Sequence, residues 1–151
     1  MIDIEKKERQ LANRLQTYTA SFMNNTKWYE LFKVLSAHSS MISKCYIKSV
    51  YVEISTEPIN RIDIPDTEHF EMTFYQSGIK DVPPMGGPME FKEIESVIFP
   101  KTWQIDRVAR GEVLQPKIFT QDLQKIESII RQAMIVEMDY VNNDLVVFGY
   151  R

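Results

Sequence analysis

The sequence predicts an α+β fold with a largely antiparallel sheet of about five strands. Two amphipathic helical patterns open the chain, segments with a two-residue period follow one another through the middle, and one helix precedes a C-terminal hairpin. Because the strands are mostly consecutive, an antiparallel sheet is favoured over a doubly wound parallel one. At 151 residues the chain fits one α+β domain, 1–151, with enough length to bury a core.

The first two helices are predicted from apolar residues at helical spacing. The first covers residues 3–22, with its stripe at Leu11, Leu15, Tyr18 and Phe22. Asn24, Asn25 and Thr26 interrupt the pattern and supply a cap for the second helix. The stripe of that helix contains Trp28, Leu31, Phe32 and Leu35.

Strands are predicted wherever the period changes to two. Residues 69–76 are expected to form the central strand, because Phe70, Met72 and Phe74 alternate with polar residues. Other strands are predicted over 45–54, where Tyr46 and Val50 share a face with Val52 and Ile54, over 94–99, and at an edge over 61–64. Residues 103–117 lack clean periodicity and are predicted as a long loop or a short helix with a connector.

A helix and a hairpin are predicted to end the chain. Thr120 is expected to cap the helix, whose stripe includes Leu123, Ile126 and Ile130. After it, alternating residues, the turn Asn142-Asn143-Asp144 and a returning strand predict a hairpin, since asparagine tolerates the positive φ that tight turns need.

Composition points to a cytoplasmic protein. Cys45 is the only cysteine, so no disulfide can form within the chain and a reducing compartment is expected. The first residues are too charged for a signal peptide, and no apolar run approaches the length of a membrane span. We therefore expect no membrane association.

Charge is uneven along the chain. Residues 53–95 contain ten acidic and three basic residues, a net charge of −7, against −3 for the whole chain. An acidic middle can attract a basic protein and disfavours nucleic acid. The candidate partner-binding residues there are Asp63, Asp66 and Glu68, although solvated loops would give the same pattern.

A second group of candidates has the residue types enriched in interface cores. The group contains Met85, Met89, Trp103, Arg107 and Arg110. The alternative is that Trp103 packs in the core and the arginines are solvated.

Two patterns suggest metal chemistry. The cluster Asp63, Asp66, Glu68, His69 and Glu71 has ligand types for a divalent ion, but its spacing fits no zinc or calcium template. Asp66 followed by Glu90 and Lys92 matches the loose pattern of metal-dependent nucleases, which needs Glu90 and Lys92 side by side on one strand face. We expect no bound metal and no cofactor.

Three segments resemble a family of small uncharacterised bacterial proteins, of the broad class that includes immunity proteins of toxin systems. They are Lys-Trp-Tyr-Glu-Leu at 27–31, Tyr-Ile-Lys-Ser-Val at 46–50 and Phe-Lys-Glu-Ile-Glu-Ser-Val-Ile at 91–98. The similarity spans about residues 26–100 and departs from the family at Ser96, where a tryptophan is expected. The resemblance implies a bacterial cytosolic protein and transfers no catalytic residue.

These observations favour a non-enzymatic protein-binding domain, of which an immunity-type toxin inhibitor is one form. Two alternatives stay open. One is a metal-dependent phosphodiesterase using Asp66, Glu90 and Lys92. The other is a structural homo-oligomer, such as a homodimer that pairs through the edge of the C-terminal hairpin.

Overall fold

The computed structural model describes residues 4–42, 44–51, 60–82, 87–109 and 111–151. The helices in these ranges are α1 (Ile4–Leu15), α2 (Asn25–Ala37), α3 (Phe70–Thr73) and α4 (Leu123–Ala133), with a 3-10 helix at Phe91–Glu93. The strands are β1 (Lys44–Ser49), β2 (Asn60–Asp63), β3 (Phe74–Tyr75), β4 (Gly78–Ile79), β5 (Met89–Glu90), β6 (Ile94–Phe99), β7 (Thr102–Ala109), β8 (Glu112–Thr120), β9 (Met138–Val141) and β10 (Asp144–Phe148). None of the described helices is long and apolar enough to cross a bilayer.

The α+β class is confirmed. Five antiparallel strands form the main sheet in the order β2-β1-β6-β10-β9. The apolar stripes of α2 and α4 belong to the same buried cluster as the inward residues of this sheet, which include Ile47, Val97 and Leu145. The core therefore lies between the two helices and one face of the sheet.

The capping signals were partly correct. The side chain of Asn24 accepts a hydrogen bond from the Lys27 amide at 2.8 Å, which confirms the predicted start of α2. The predicted Thr120 cap of α4 is wrong, because Thr120 ends β8 and the side chain of Asp122 accepts from the Lys125 amide at 3.1 Å.

The first helix ends seven residues before its predicted end, at Leu15. Beyond it the chain runs beside the C-terminus, where the Thr19 amide donates to the Arg151 carbonyl at 2.8 Å and the Phe22 amide to the Gly149 carbonyl at 2.8 Å. Tyr18 stacks on Tyr150 with ring centroids 5.3 Å apart. These long-range bonds replace the helical ones that the apolar spacing had suggested.

The predicted central strand over residues 69–76 is wrong. Phe70–Thr73 form α3, and only Phe74 and Tyr75 are extended, in a small sheet with the order β3-β4-β5. Phe70 and Phe74 are buried, whereas Met72 between them is 71% exposed. The apolar residues that matter are thus four apart, a helical spacing, and Met72 lies on the other face of the turn.

Residues 103–109 and 111–117 also differ from the prediction, because they form most of the β7–β8 hairpin. Between the pairs Ile105–Lys117 and Arg107–Leu114, one residue of β7 faces two of β8, Gln115 and Pro116. Such a bulge accommodates a proline that has no amide hydrogen and breaks the two-residue alternation. The loss of periodicity therefore marked an irregular hairpin.

Two other strand predictions agree with the structure in position, but one of them assigned the wrong side chains to the buried face. The C-terminal hairpin is confirmed, and its turn residues Asn142 and Asn143 have φ values of 52° and 69°. Strand β1 exists, but its buried face carries Cys45 and Ile47, while Tyr46 is partly exposed. Val52 and Ile54, which were expected to share the face of Tyr46, lie outside the described residues.

Candidate functional site

Residues 63–72, here called the acidic segment, run from the end of β2 into α3. Four carboxylates lie on it: Asp63, Asp66, Glu68 and Glu71. Ile64 and Phe70 bury their side chains, and the Pro65 carbonyl accepts a hydrogen bond from Ser36 Oγ of α2 at 2.7 Å. The segment is therefore anchored to the core between its charged residues.

Asp63 and Asp66 are already engaged in contacts within the chain. Asp63 Oδ1 lies 3.0 Å from Lys44 Nζ across the β1–β2 pair. Asp66 Oδ1 accepts the His69 amide at 3.0 Å and lies 2.6 Å from His69 Nδ1. The carboxylate of Asp66 thus closes the turn that leads into α3.

The Asp66–His69 contact changes the titration of both groups. The hydrogen bond to the His69 ring lowers the pKa of Asp66, and the same bond raises the pKa of His69. Each shift favours the charged form, as expected for a carboxylate beside an imidazolium. Both side chains are exposed, so solvent screens the pair.

Glu68, Glu71 and Met72 make up the free part of the acidic segment. Neither carboxylate forms a hydrogen bond or ion pair with another described residue, and both are exposed. They line a cleft of about 210 Å³ between the segment and α2, together with Lys33 and Phe70. The exposed Met72 side chain lies on the same short helix as Glu71.

The structure places the proposed nuclease residues on different elements. Glu90 ends β5, while Lys92 is in the 3-10 helix that follows, so they do not share a strand face. Glu90 accepts a hydrogen bond from the Tyr75 hydroxyl at 3.2 Å and also takes part in capping the 3-10 helix. Within the described ranges, no three histidine, cysteine, aspartate or glutamate side chains are arranged to hold a metal ion.

Of the second group of candidates, the structure describes the side chains of Trp103 and Met89 only. Trp103 is in β7, 8% exposed and stacked on Phe119 at 5.6 Å, and Met89 packs against the core from β5. Met85 and Arg110 lie outside the described residues, and of Arg107 only the backbone, in β7, is described. Trp103 and Met89 therefore present little side-chain surface to a partner.

Buried Glu93, which the sequence did not single out, holds α1. Its carboxylate lies 3.3 Å from Lys7 Nζ and accepts the Glu90 amide at 2.9 Å. Burial, with a further effect of Glu93, raises the pKa of Tyr51 to about 12. These contacts tie the N-terminal helix to the start of β6, which gives Glu93 a structural role.

A wider cleft of about 660 Å³ lies between the start of α4 and the C-terminal hairpin. Its lining includes Lys101, Asp122, Glu127 and Tyr140. Burial and the nearby Glu127 raise the pKa of Tyr140. Asp122 is engaged in capping α4, and none of these four residues was a candidate from the sequence.

The sequence analysis did not predict that Met72 is exposed, and it did not include Glu71 among the partner-binding candidates. The error on Met72 follows from the strand assignment, which placed that side chain on the buried face. The four-residue spacing of Phe70 and Phe74 was the signal of a helical turn, from which the exposure of Met72 follows. Comparisons of this chain with protein-family models, curated proteins and solved structures gave no match.

Proposed function

We propose that the protein is a non-enzymatic domain that binds a basic protein through the acidic segment. The observation that carries this proposal is that Glu68 and Glu71 are unpaired within the described residues and that the exposed Met72 follows Glu71 on the same anchored turn. An exposed apolar side chain on a segment that also carries exposed charges has the residue types of an interface contact with a polar rim.

The charges of the acidic segment favour a partner with a basic surface. Between Asn60 and Met72 the chain has four carboxylates and one guanidinium, Arg61, which gives a net charge of −3 with His69 neutral. Asp63 and Asp66 are engaged by Lys44 and His69, so Glu68 and Glu71 are the carboxylates of the segment that are left to attract a partner. A surface rich in lysine or arginine complements it and is attracted before contact.

The anchoring of the segment favours binding without a large rearrangement. Phe70 packs edge-on against Tyr29 of α2 at 5.3 Å, and Phe74 stacks on Phe32 of α2 at 4.5 Å. With both ends of α3 fixed to the same helix, little backbone conformational entropy is lost when the segment meets a partner. In the finer form of the proposal, which rests on the sequence resemblance, the partner is a bacterial toxin.

The test uses three tagged baits in extracts of the source cell: the wild type, Glu68→Lys/Glu71→Lys, and the control Glu5→Lys/Glu8→Lys. The control residues are exposed on α1, and both variants change the net charge by the same amount. We expect mass spectrometry to find a basic protein with the wild type and the control, and its loss with Glu68→Lys/Glu71→Lys. Equal capture by all three baits would refute the proposal.

A further inference from the structure

A mostly apolar groove lies on the side of α2 where it meets the end of α4. It has a volume of about 370 Å³, and its apolar lining comes from Val34 of α2 and from Ala133, Met134 and Ile135. Thr26, Lys27 and Glu30 line the α2 side of the groove. This α2–α4 groove shares no lining residue with the cleft beside the acidic segment.

Ile135 is an exposed apolar side chain at this groove. It is 88% exposed, the highest value among the large hydrophobic residues that are exposed in the described part of the chain. One exposed isoleucine is ordinary, but beside the apolar groove it extends a single apolar patch with a charged rim, the kind of surface at which proteins meet. The chain thus carries a protruding side chain and a depression on the same face.

The charged rim of the groove is self-complementary. Lys27 and Glu30 are three residues apart on α2, and neither side chain has an ion pair or hydrogen bond to another residue that the structure describes. When two α2 helices pack antiparallel about a twofold axis that passes midway between these residues, Lys27 of each copy meets Glu30 of the other. Twofold symmetry repeats each contact, so the interface contains two such Lys27–Glu30 pairs.

We infer that a second copy of this chain covers the α2–α4 groove and forms a homodimer with twofold symmetry. Ile135 of each copy inserts into the groove of the other, and the Lys27–Glu30 pairs fix the antiparallel orientation. The inference does not depend on the proposed function, because the acidic segment takes no part in it.

The edge of the C-terminal hairpin offers a weaker contact. On β9, the last strand of the sheet, the Tyr140 amide donates to the Asp139 carboxylate at 2.8 Å. That amide would have to leave its own carboxylate before it could bind a second strand. A charged residue that covers an edge in this way is a common means of preventing strand pairing.

The decisive measurement is sedimentation velocity of the full chain at concentrations from micromolar to several hundred micromolar. We expect a concentration-dependent dimer for the wild type and a monomer for Ile135→Glu. The control is Ile118→Glu, which changes another exposed isoleucine, 68% exposed on β8, and should leave the dimer unchanged. A wild type that stays monomeric, or equal effects of the two substitutions, would overturn the inference.

A charge exchange tests the orientation. Lys27→Glu and Glu30→Lys alone each create two repulsive pairs and should raise the dimer dissociation constant by about 10-fold or more. The double variant Lys27→Glu/Glu30→Lys restores opposite charges across the axis and should recover most of the affinity. Circular dichroism confirms that each variant is folded. Folded single variants with wild-type affinity, or a double variant no better than the singles, would contradict the proposed pairing.

Discussion

Replacing Phe74 by alanine tests how the acidic segment is held. The ring is 2% exposed, stacks on Phe32 at 4.5 Å and lies 5.1 Å from Phe70. Burial of a phenylalanine contributes about 1.5–3 kcal/mol, and each aromatic pair adds about 0.5–1.5 kcal/mol. The substitution also leaves a cavity that the surrounding core fills only in part. We therefore expect the free energy of unfolding to fall by about 3–5 kcal/mol.

The assay is urea unfolding followed by tryptophan fluorescence, with Met72→Ala as the matched control. Met72 is two residues away and 71% exposed, so its truncation should cost less than about 0.5 kcal/mol. A strand over residues 69–76 would instead bury both side chains on one face. A loss below about 1 kcal/mol for Phe74→Ala, or an equal loss for Met72→Ala, would refute the description of α3.

Three further predictions follow from single contacts. Asn24→Ala removes the oxygen that accepts the Lys27 amide and should lower the free energy of unfolding by about 1 kcal/mol, whereas Asn25→Ala should not. Burial raises the pKa of Cys45 to about 12, so a thiol reagent at mildly alkaline pH should label it only as fast as the protein opens; rapid labelling of the native protein would contradict its burial. Asp66→Asn removes the carboxylate that raises the pKa of His69, so the His69 ring should lose its proton at lower pH in an NMR titration of the variant; an unchanged pKa would show that the 2.6 Å contact does not form in solution.

The sequence predicted those elements whose signals are local. The cap at Asn24 and the stripe from Trp28 to Leu35 lie within one helix, so α2 was predicted correctly. The C-terminal hairpin was equally clear, because the positive φ values of its turn favour asparagine over most residues.

The errors arose where distant parts of the chain decide the local structure. Phe70, Met72 and Phe74 fit a strand, while Phe70 and Phe74 alone fit a helical turn. Contacts with α2 favour the helical turn, because Tyr29 and Phe32 pack against Phe70 and Phe74, whereas Met72 stays exposed. Likewise the C-terminus, by hydrogen bonding Thr19 and Phe22, prevents α1 from continuing.

The acidic segment could be located from the sequence, and its role as a binding site stays a prediction. Its charge can be read directly from the composition. The sequence does not show which carboxylates of the segment lack a partner among the described residues. Asp63 is paired with Lys44 across two strands, and Asp66 with His69 through the turn. Our proposal therefore rests on Glu68, Glu71 and Met72 rather than on Asp63 and Asp66.

The central claim, that the acidic segment attracts a basic partner, is tested most directly by the salt dependence of the association rate. Stopped-flow measurements would use the protein captured by the wild type, with Glu68→Lys/Glu71→Lys and the control Glu5→Lys/Glu8→Lys. Salt screens exposed charges over about 8–10 Å at physiological strength, so wild-type association should slow as salt is added. We expect slower association with a flatter salt dependence for Glu68→Lys/Glu71→Lys, and near wild-type behaviour for the control. Equal rates for the wild type and Glu68→Lys/Glu71→Lys at low salt would contradict the claim.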